Sequence, residues 1–546
     1  MKTFPTEPAL EAAIVADADE DTPRLAYADW LDEHGDPDRA AFIRAQCRLA
    51  DLSPAEPDWI DLREQQFELA ARLKSRALGA AVPGIADIDF EPDLVDDNRN
   101  EESFHRGFPY FVGCIHGGDD WTADETARVA TEMGRLVRTT TVRGFDSVLV
   151  PLARLRELFD SPAFAQLTGA SLGFSRADDE ATASEDFYRL VATHPTMRRV
   201  RHLFLYDGAT ADALAELTKA TALGAVRRLW VQSIDAPRAA VERLTKAAWF
   251  RSVLHLRCRA VADPTAAALV AGLGKLPHLH TLELPSLAGA AVAPLAAGKF
   301  PALARLVYGG PGDSPHIKKL AAADFPALAA FEASGRGLKS TAFARLLKAN
   351  WFARLRLLDL SANALGDTSV EALAAHPVAR ALRVLRLSNN PLGAGARAAL
   401  TRDGAFPELT TLDLSLDTDQ KATPAELAAF VAALATPRLR HFNLSGWPLT
   451  DAGAKALAAN PALAGLTRLS LRGCSIGDPG AKALFASRHL RDLVELDLSH
   501  NAIRSGAAAL AKPDTLPRLG ECSLVGNRVP LKAAAKLERD GLALVT

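Results

Sequence analysis

The sequence predicts an α/β architecture. A right-handed strand–helix solenoid, built from units of about 27 residues around a parallel inner sheet, follows a small all-α N-terminal domain. Three observations predict it. The pattern L-x-x-L-x-L recurs at a nearly fixed interval, an asparagine recurs at a fixed offset behind it, and the first hundred residues carry apolar residues at helical spacing instead. The length agrees, because 546 residues exceed what one hydrophobic core organises, and 48% apolar content excludes general disorder.

The N-terminal segments "EPALEAAIVA", "TPRLAYADWLDEHG", "DPDRAAFIRAQCRLADL" and "EPDWIDLREQQFELAARLKSRAL" read as three or four short helices. Thr22-Pro23 and Asp36-Pro37 are placed as N-cap and first-turn pairs. The expected core is Leu25, Tyr27, Trp30, Leu31, Phe42 and Ile43. Residues 1–104 hold 25 Asp+Glu against 10 Lys+Arg, a balance of −15, which leaves 41 against 53, or +12, for residues 105–546. An acidic head therefore precedes a basic body, and the head is expected to dock electrostatically on that body or on a basic partner.

The repeats are legible from Val200 onward. "VRHLFL" from Val200, "VRRLWV" from Val226, "VLHLRC" from Val253, "LHTLEL" from Leu279, "LARLVY" from Leu303 and "LAAFEA" from Leu328 lead into "LRLLDLSANAL" from Leu355. Leu382, Leu409, Leu439, Leu466, Leu493 and Leu519 open the later units, at intervals of 27, 27, 30, 27, 27 and 26 residues. Before Val200 the frame degenerates, with "GFPYFVGC" from Gly107, "FDSVLV" from Phe145 and "LTGASLGF" from Leu167 as candidate strands. Asn363, Asn390, Asn501 and Asn527 follow the strands, with Cys474 in the same column. Their side chains are suited to satisfying backbone groups of adjacent coils. Between Val200 and Leu328 that column holds Gly208, Ile234, Val261, Leu287, Pro311 and Arg336, so the polar ladder belongs to the C-terminal half, where coils should be more regular. Asp367, Asp451 and Asp478 stand at or near helix N-caps.

These residues resemble a leucine-rich repeat array of the long, ribonuclease-inhibitor-like type. The run "DTPRLAYADWLDEHGDPDRAAFIRAQ" resembles the repeat-companion domain found at the N-terminus of planctomycete proteins ahead of repeats, through Tyr27-Ala28-Asp29-Trp30-Leu31 and Phe42-Ile43-Arg44. That resemblance implies the architecture of residues 1–104 followed by 105–546 and no activity.

No catalytic, cofactor-binding or metal site is expected. His116, Asp119 and Asp120 near Cys114 suit a surface turn, and "YGGPGDSPHIKK" (308–319) lacks the phosphate-loop order and reads as irregular coil. Asp17, Asp19, Glu20, Asp21, Asp29, Asp32 and Glu33 lack calcium-loop spacing and read as a solvated helix face. Cys47, Cys114, Cys258, Cys474 and Cys522 have neither metal nor disulfide spacing, so reduced and mostly buried thiols are expected. With no apolar run long enough for a membrane span or signal peptide, the expected location is the cytoplasm.

The functional expectation is a non-enzymatic scaffold that holds a protein partner on its concave face. Strand alternation turns Leu203/Leu205, Leu229/Val231 and Leu256/Cys258 inward. It leaves His202, Phe204 and Tyr206, then Arg228, Trp230 and Gln232, then His255, Arg257 and Arg259 on the other face. This aromatic and basic cluster is the expected partner site, since later strands show Asp359/Ser361, Asp413/Ser415 and Asp497/Ser499 there. Two alternatives stand beside it: nucleic-acid or other polyanion binding by the basic solenoid, and an accessory or regulator of an enzyme such as a GTPase. Nucleic acid is disfavoured because the basic residues are spread around helices as well as strands. No membrane partner is expected.

Overall fold

The computed structural model describes residues 7–545 except 18–19, 53–55, 75–103, 106–107, 110, 115–121, 140–142, 175–179, 262, 417–421, 513, 531–536 and 538–542. The turn expected around His116, Asp119 and Asp120 lies outside the described residues, as does Asp19. The chain divides into two compact units. Unit 1 comprises Met1–Gln66, Gly79–Gly310 and Ala323–Ala327, and unit 2 comprises Phe67–Leu78, Pro311–Ala322 and Leu328–Thr546.

The head is helical, with α1 (Glu7–Ala16), α2 (Asp21–Glu33), α3 (Pro37–Asp51) and α4 (Pro57–Lys74). Leu10 and Ile14 of α1 meet Tyr27, Ala28 and Leu31 of α2 and Ala40, Ile43 and Cys47 of α3, with Trp30 packed at the side. Asp36 caps α3 as expected, accepting from the Arg39 N–H at 3.3 Å. The expectation at Thr22-Pro23 is corrected: α2 begins at Asp21 with Glu20 as N-cap. Leu25 is a second correction, being 39% exposed. The buried stripe of α2 is Arg24, Tyr27, Ala28 and Leu31, spaced i, i+3, i+4, i+7, and Leu25 falls one step off it. Arg24 takes the position on the stripe because its Nη1 satisfies the Glu20 carbonyl at 2.7 Å.

A short antiparallel pair, β1 (Phe104–His105) and β2 (Phe108–Pro109), precedes the solenoid. In unit 1 parallel pairing runs through β3 (Phe111–Cys114), β4 (Gly144–Val150), β5 (Gly169–Phe174), β6 (His202–Ala209), β7 (Arg228–Ile234), β8 (His255–Val261), β9 (Thr281–Leu284) and β10 (Arg305–Tyr308). The degenerate early units are thus strands in the same ladder. Unit 2 contains β11 (Ala330–Glu332), β12 (Leu357–Asp359), β13 (Val384–Arg386), β14 (Thr411–Asp413), β15 (His441–Asn443), β16 (Arg468–Ser470), β17 (Glu495–Asp497), β18 (Glu521–Ser523) and β19 (Ala543–Val545), each parallel to the next. Helices and one-turn helices connect the strands, the crossover that L-chirality makes right-handed in almost every protein. The segment 308–319 is less irregular than expected, since Asp313 caps a helix over Ser314–Ala321 by accepting from His316 N–H at 3.1 Å.

The repeat leucines make the core between strand and helix. In the coil from Leu355, Leu355, Leu358, Leu360, Leu365 and Leu373 are all buried. The asparagine column forms the expected ladder. Asn363 Nδ2 donates to the carbonyls of Ala333 (2.8 Å) and Leu360 (2.9 Å), while its Oδ1 accepts from Arg336 and Leu338 N–H at 3.0 and 2.9 Å. Asn390 repeats this one coil on, Asn501 and Asn527 repeat it later, and the Cys474 thiol donates to Leu444 at 3.2 Å. Unit 1 lacks these residues, and there the strands of β6, β7 and β8 are seven or eight residues long instead of three. With no side chain to turn the chain, the backbone ladder continues to Ile234 and Val261.

Four described cysteines, Cys47, Cys258, Cys474 and Cys522, are buried free thiols. No described helix is long and apolar enough to cross a membrane. Among the described residues no group of His, Cys, Asp or Glu could hold a metal ion.

Candidate interaction face

The strands of unit 1 alternate as the sequence requires: Leu203, Leu205, Leu229, Val231, Leu256 and Cys258 are buried toward the helices. The residues between them share the opposite face. Parallel register sets Asp146, Ser171, Phe204, Trp230, Arg257 and Glu283 side by side, one from each of β4 to β9. Ser171 Oγ donates to Asp146 Oδ1 at 2.8 Å at one end of this row. At the other end Glu283 accepts from Arg305 at 2.6 Å and lies 3.7 Å from Arg257.

Between those ends the aromatic residues form one cluster. Trp230 meets Phe204 edge-on, with ring centroids 5.8 Å apart, and meets Tyr206 the same way at 4.9 Å. The guanidinium of Arg257 lies over the Trp230 ring, 5.4 Å from its centroid. Such edge-to-face and cation–π contacts fix ring orientation beyond what area burial alone supplies. Tyr206 reaches the indole because the pairing of β6 with β7 slips between Leu205 and Gly208, a bulge that redirects the strand. Trp230, Tyr206, Arg228, Gln232, His202, His255 and Arg257 are half-buried, and Arg259 is exposed. Phe204 requires correction: it is only 8% exposed, because Trp230 closes over it, so it supports the face from beneath.

The row of His202, Arg228, His255, Thr281 and Arg305 lies beside this cluster in register. Burial holds the His255 imidazole well below its ordinary pKa, and the charges of Arg228, His280 and Arg305 act in the same direction. His255 is therefore neutral near pH 7, and the positive charge of the face rests on its arginines.

At the corresponding positions of unit 2, small polar side chains bond one another. Asp413 Oδ1 accepts from both the N–H and the hydroxyl of Ser415, Asn443 does the same for Ser445, and Asp497 for Ser499. Ser445 and Ser470 hydroxyls also meet at 2.8 Å. These polar groups satisfy one another within the sheet, which leaves less for a ligand.

One ladder member was not anticipated. In the coil from Leu439 the asparagine position holds Trp447, whose indole N–H donates to the Leu414 carbonyl, the same acceptor position that Asn363 and Asn390 use. The available signal was a donor-bearing side chain eight residues after the opening leucine.

The sequence pattern of the Leucine Rich repeat family matches residues 355–374, 466–485 and 489–511. No curated protein matches the chain. Among solved structures, the yeast complex of Rad7 and Elc1 is similar at 16% identity over 78% of this chain and 94% of that one, with a TM-score of 0.38. An internalin (inlF) of Listeria monocytogenes is similar at 13% identity over 66% of this chain and 88% of that one, with a TM-score of 0.31.

Proposed function

We propose that this leucine-rich-repeat protein is a non-enzymatic scaffold that holds another protein on the concave face of unit 1, at strands β6 to β8. The observation that carries the reading is the cluster around Trp230. A half-buried indole is fixed by Phe204, Tyr206 and Arg257, and that arginine is positioned in turn by Glu283. Tryptophan, tyrosine and arginine dominate the energetics of protein interfaces, and side chains already held in place lose little entropy on binding. The self-satisfied Asp/Ser pairs of unit 2 offer no such anchors. Buried free thiols support a reducing compartment such as the cytoplasm. The acidic head, residues 1–104, is read as a separate helical domain preceding the solenoid of residues 105–546.

Affinity purification from the native cell followed by mass spectrometry identifies the partner, and titration with the purified partner tests the site. Trp230→Ala and Arg257→Ala are expected to weaken binding by about 2 kcal/mol each, roughly 30-fold, with Ser415→Ala unchanged and all three melting temperatures preserved. Equal affinity for all three variants rejects the reading.

A further inference from the structure

In a parallel strand–helix solenoid every strand begins at the same edge of the sheet, so the loops that lead from helix to strand share that edge. For strands β6 to β10 these are residues 194–201, 219–227, 245–254, 274–280 and 298–304. None of the five contains an aspartate or glutamate. The first carries Arg198, Arg199 and Arg201, the second Arg227 and the third Arg251, while Lys219, Lys246, Lys275 and Lys299 stand in the last four in turn. Backbone hydrogen bonds clamp the loops side by side: Arg227 N–H to the Arg201 carbonyl, Leu254 to Arg227, His280 to Leu254 and Ala304 to His280, each at 2.8 Å. Of the cations, only Arg227 is partly covered; the rest are exposed. The opposite edge of the same coils carries Asp207, Asp212, Asp235 and Asp263 with only Arg238 and Arg259. Charges that look scattered along the chain are thus sorted by the coil register onto two edges.

The helix macrodipole explains part of this. The partial negative charge at a helix C-terminus attracts cations within about one turn, and Lys219, Lys246, Lys275 and Lys299 each lie within two residues of a helix end. Arg198 and Arg199 close the one-turn helix Pro195–Arg199 and Arg251 stands in the last turn of Trp249–Ser252, where the same attraction acts more weakly, whereas Arg201 and Arg227 lie outside any helix, at the entry to their strands.

We infer that this edge is a docking surface for the phosphate backbone of a nucleic-acid duplex, bound without regard to base sequence. Adjacent coils at about 4.8 Å place the five loops along roughly 20 Å. A duplex presents one phosphate per strand every 3.4 Å or so of axis, so several phosphates face the rim at once. A membrane surface fits less well, because interfacial binding needs exposed aromatic or aliphatic side chains. Trp249 and Phe250 of the third loop are buried, and Leu25 in the head is the single exposed large hydrophobic residue among those described. The same lack of exposed rings disfavours a single strand held by base stacking. This surface is distinct from the concave cluster, and the inference does not depend on the protein-binding reading.

Fluorescence anisotropy of the full chain with a labelled mixed-sequence DNA duplex of roughly 20 base pairs, between about 50 and 200 mM NaCl, tests it. Binding is expected to be independent of sequence and to weaken on the order of 100-fold across that range, as about four phosphate contacts require. The triple variant Arg199→Gln/Lys246→Gln/Arg251→Gln is expected to make the log–log salt slope shallower by about 2 to 3, at unchanged melting temperature. The opposite-edge variant Arg238→Gln/Arg259→Gln should keep the slope. Absence of binding at the lowest salt, or a slope unchanged by the triple variant, overturns the inference. So does equal or tighter binding to phosphatidylserine vesicles or to polyglutamate at the same salt.

Discussion

Asn390 shows why single side chains hold the C-terminal coils. Its amide donates to the carbonyls of Leu360 and Leu387 and its oxygen accepts from Leu365 N–H, so one residue satisfies backbone groups in two coils. Asn390→Ala leaves those buried groups without partners and should cost about 2 to 3 kcal/mol, measured by urea unfolding. An unchanged midpoint would mean that water replaces the amide at no cost. The residue ahead of each ladder member takes the left-handed conformation: Ala362, Asn389, Gly446, Gly473, His500 and Gly526 all have positive φ, as does Gly335 ahead of Arg336 in the same column. Ala362, at φ 53°, has no side-chain hydrogen bond to offset the strain, so Ala362→Gly should raise stability by about 1 kcal/mol by the same assay. The asparagine column was legible in the sequence because one residue type at one offset has few other uses. Its left-handed neighbour was not, because glycine, alanine, asparagine and histidine share no chemistry beyond tolerating that backbone. Phe204 was misjudged because alternation assigns a face, whereas exposure depends on what a neighbour such as Trp230 covers.

Between elements, the aspartates expected to cap their own helices act across coils. Asp367 is the first residue of its helix, yet its carboxylate accepts from the N–H groups of Gly393 (2.6 Å), Gly395 (3.0 Å) and Ala396 (3.0 Å) at the start of the next one. Asp451 reaches Gly477 and Gly480, and Asp478 reaches Arg504 N–H and the Ser505 hydroxyl. Sequence showed the aspartate at the helix start but not its target, since a cap one coil away and a cap one turn away have the same local spacing. The glycines follow from the contact: a Cβ on Gly395 would sit 2.5 Å from Glu371 Oε1 and 2.9 Å from Asp367 Cβ. Gly395→Ala should therefore destabilise the protein by about 1 to 3 kcal/mol despite alanine's better helix propensity, and a rise in urea midpoint would refute the steric account. Partial burial raises the Asp367 and Asp478 pKa values, but hydrogen bonds from backbone N–H groups outweigh it and hold both below the ordinary carboxylate value. A carboxylate depressed in the folded state contributes stability above its unfolded pKa and loses it as pH falls through the folded one. The urea midpoint should accordingly drop as pH falls below about 4, and the Asp367→Ala/Asp478→Ala variant should show a shallower drop over that window. Identical slopes would assign the acid sensitivity to other groups.

At the scale of the whole molecule, each coil depends on its neighbours for burial, so the first coil of a solenoid needs something to cover it. In unit 1, α1 packs against α5 (Ala123–Thr139), the helix that follows β3, and Arg143 Nη2 donates to the Val15 carbonyl at the end of α1 at 2.9 Å. Two forces could hold the head there. One is local packing around this nearly buried guanidinium; the other is attraction between the −15 of residues 1–104 and the +12 of the rest. They respond differently to salt. Exposed charges are screened within about 3 Å at 1 M, whereas a buried hydrogen bond from a cation is scarcely affected. Arg143→Ala leaves the Val15 carbonyl without this donor and should reduce hydrogen-exchange protection of the α1 amides roughly 10-fold, about 1.4 kcal/mol, with amides of β12 to β17 unchanged. If docking is electrostatic, as the charge division leads one to expect, about 1 M NaCl lowers α1 protection in the unmutated chain as well, and an isolated 1–104 fragment binds the 105–546 fragment only at low salt. Full protection at high salt, combined with its loss in Arg143→Ala, would show that the charge division plays no part in seating the head and that packing on α5 alone covers the first coil.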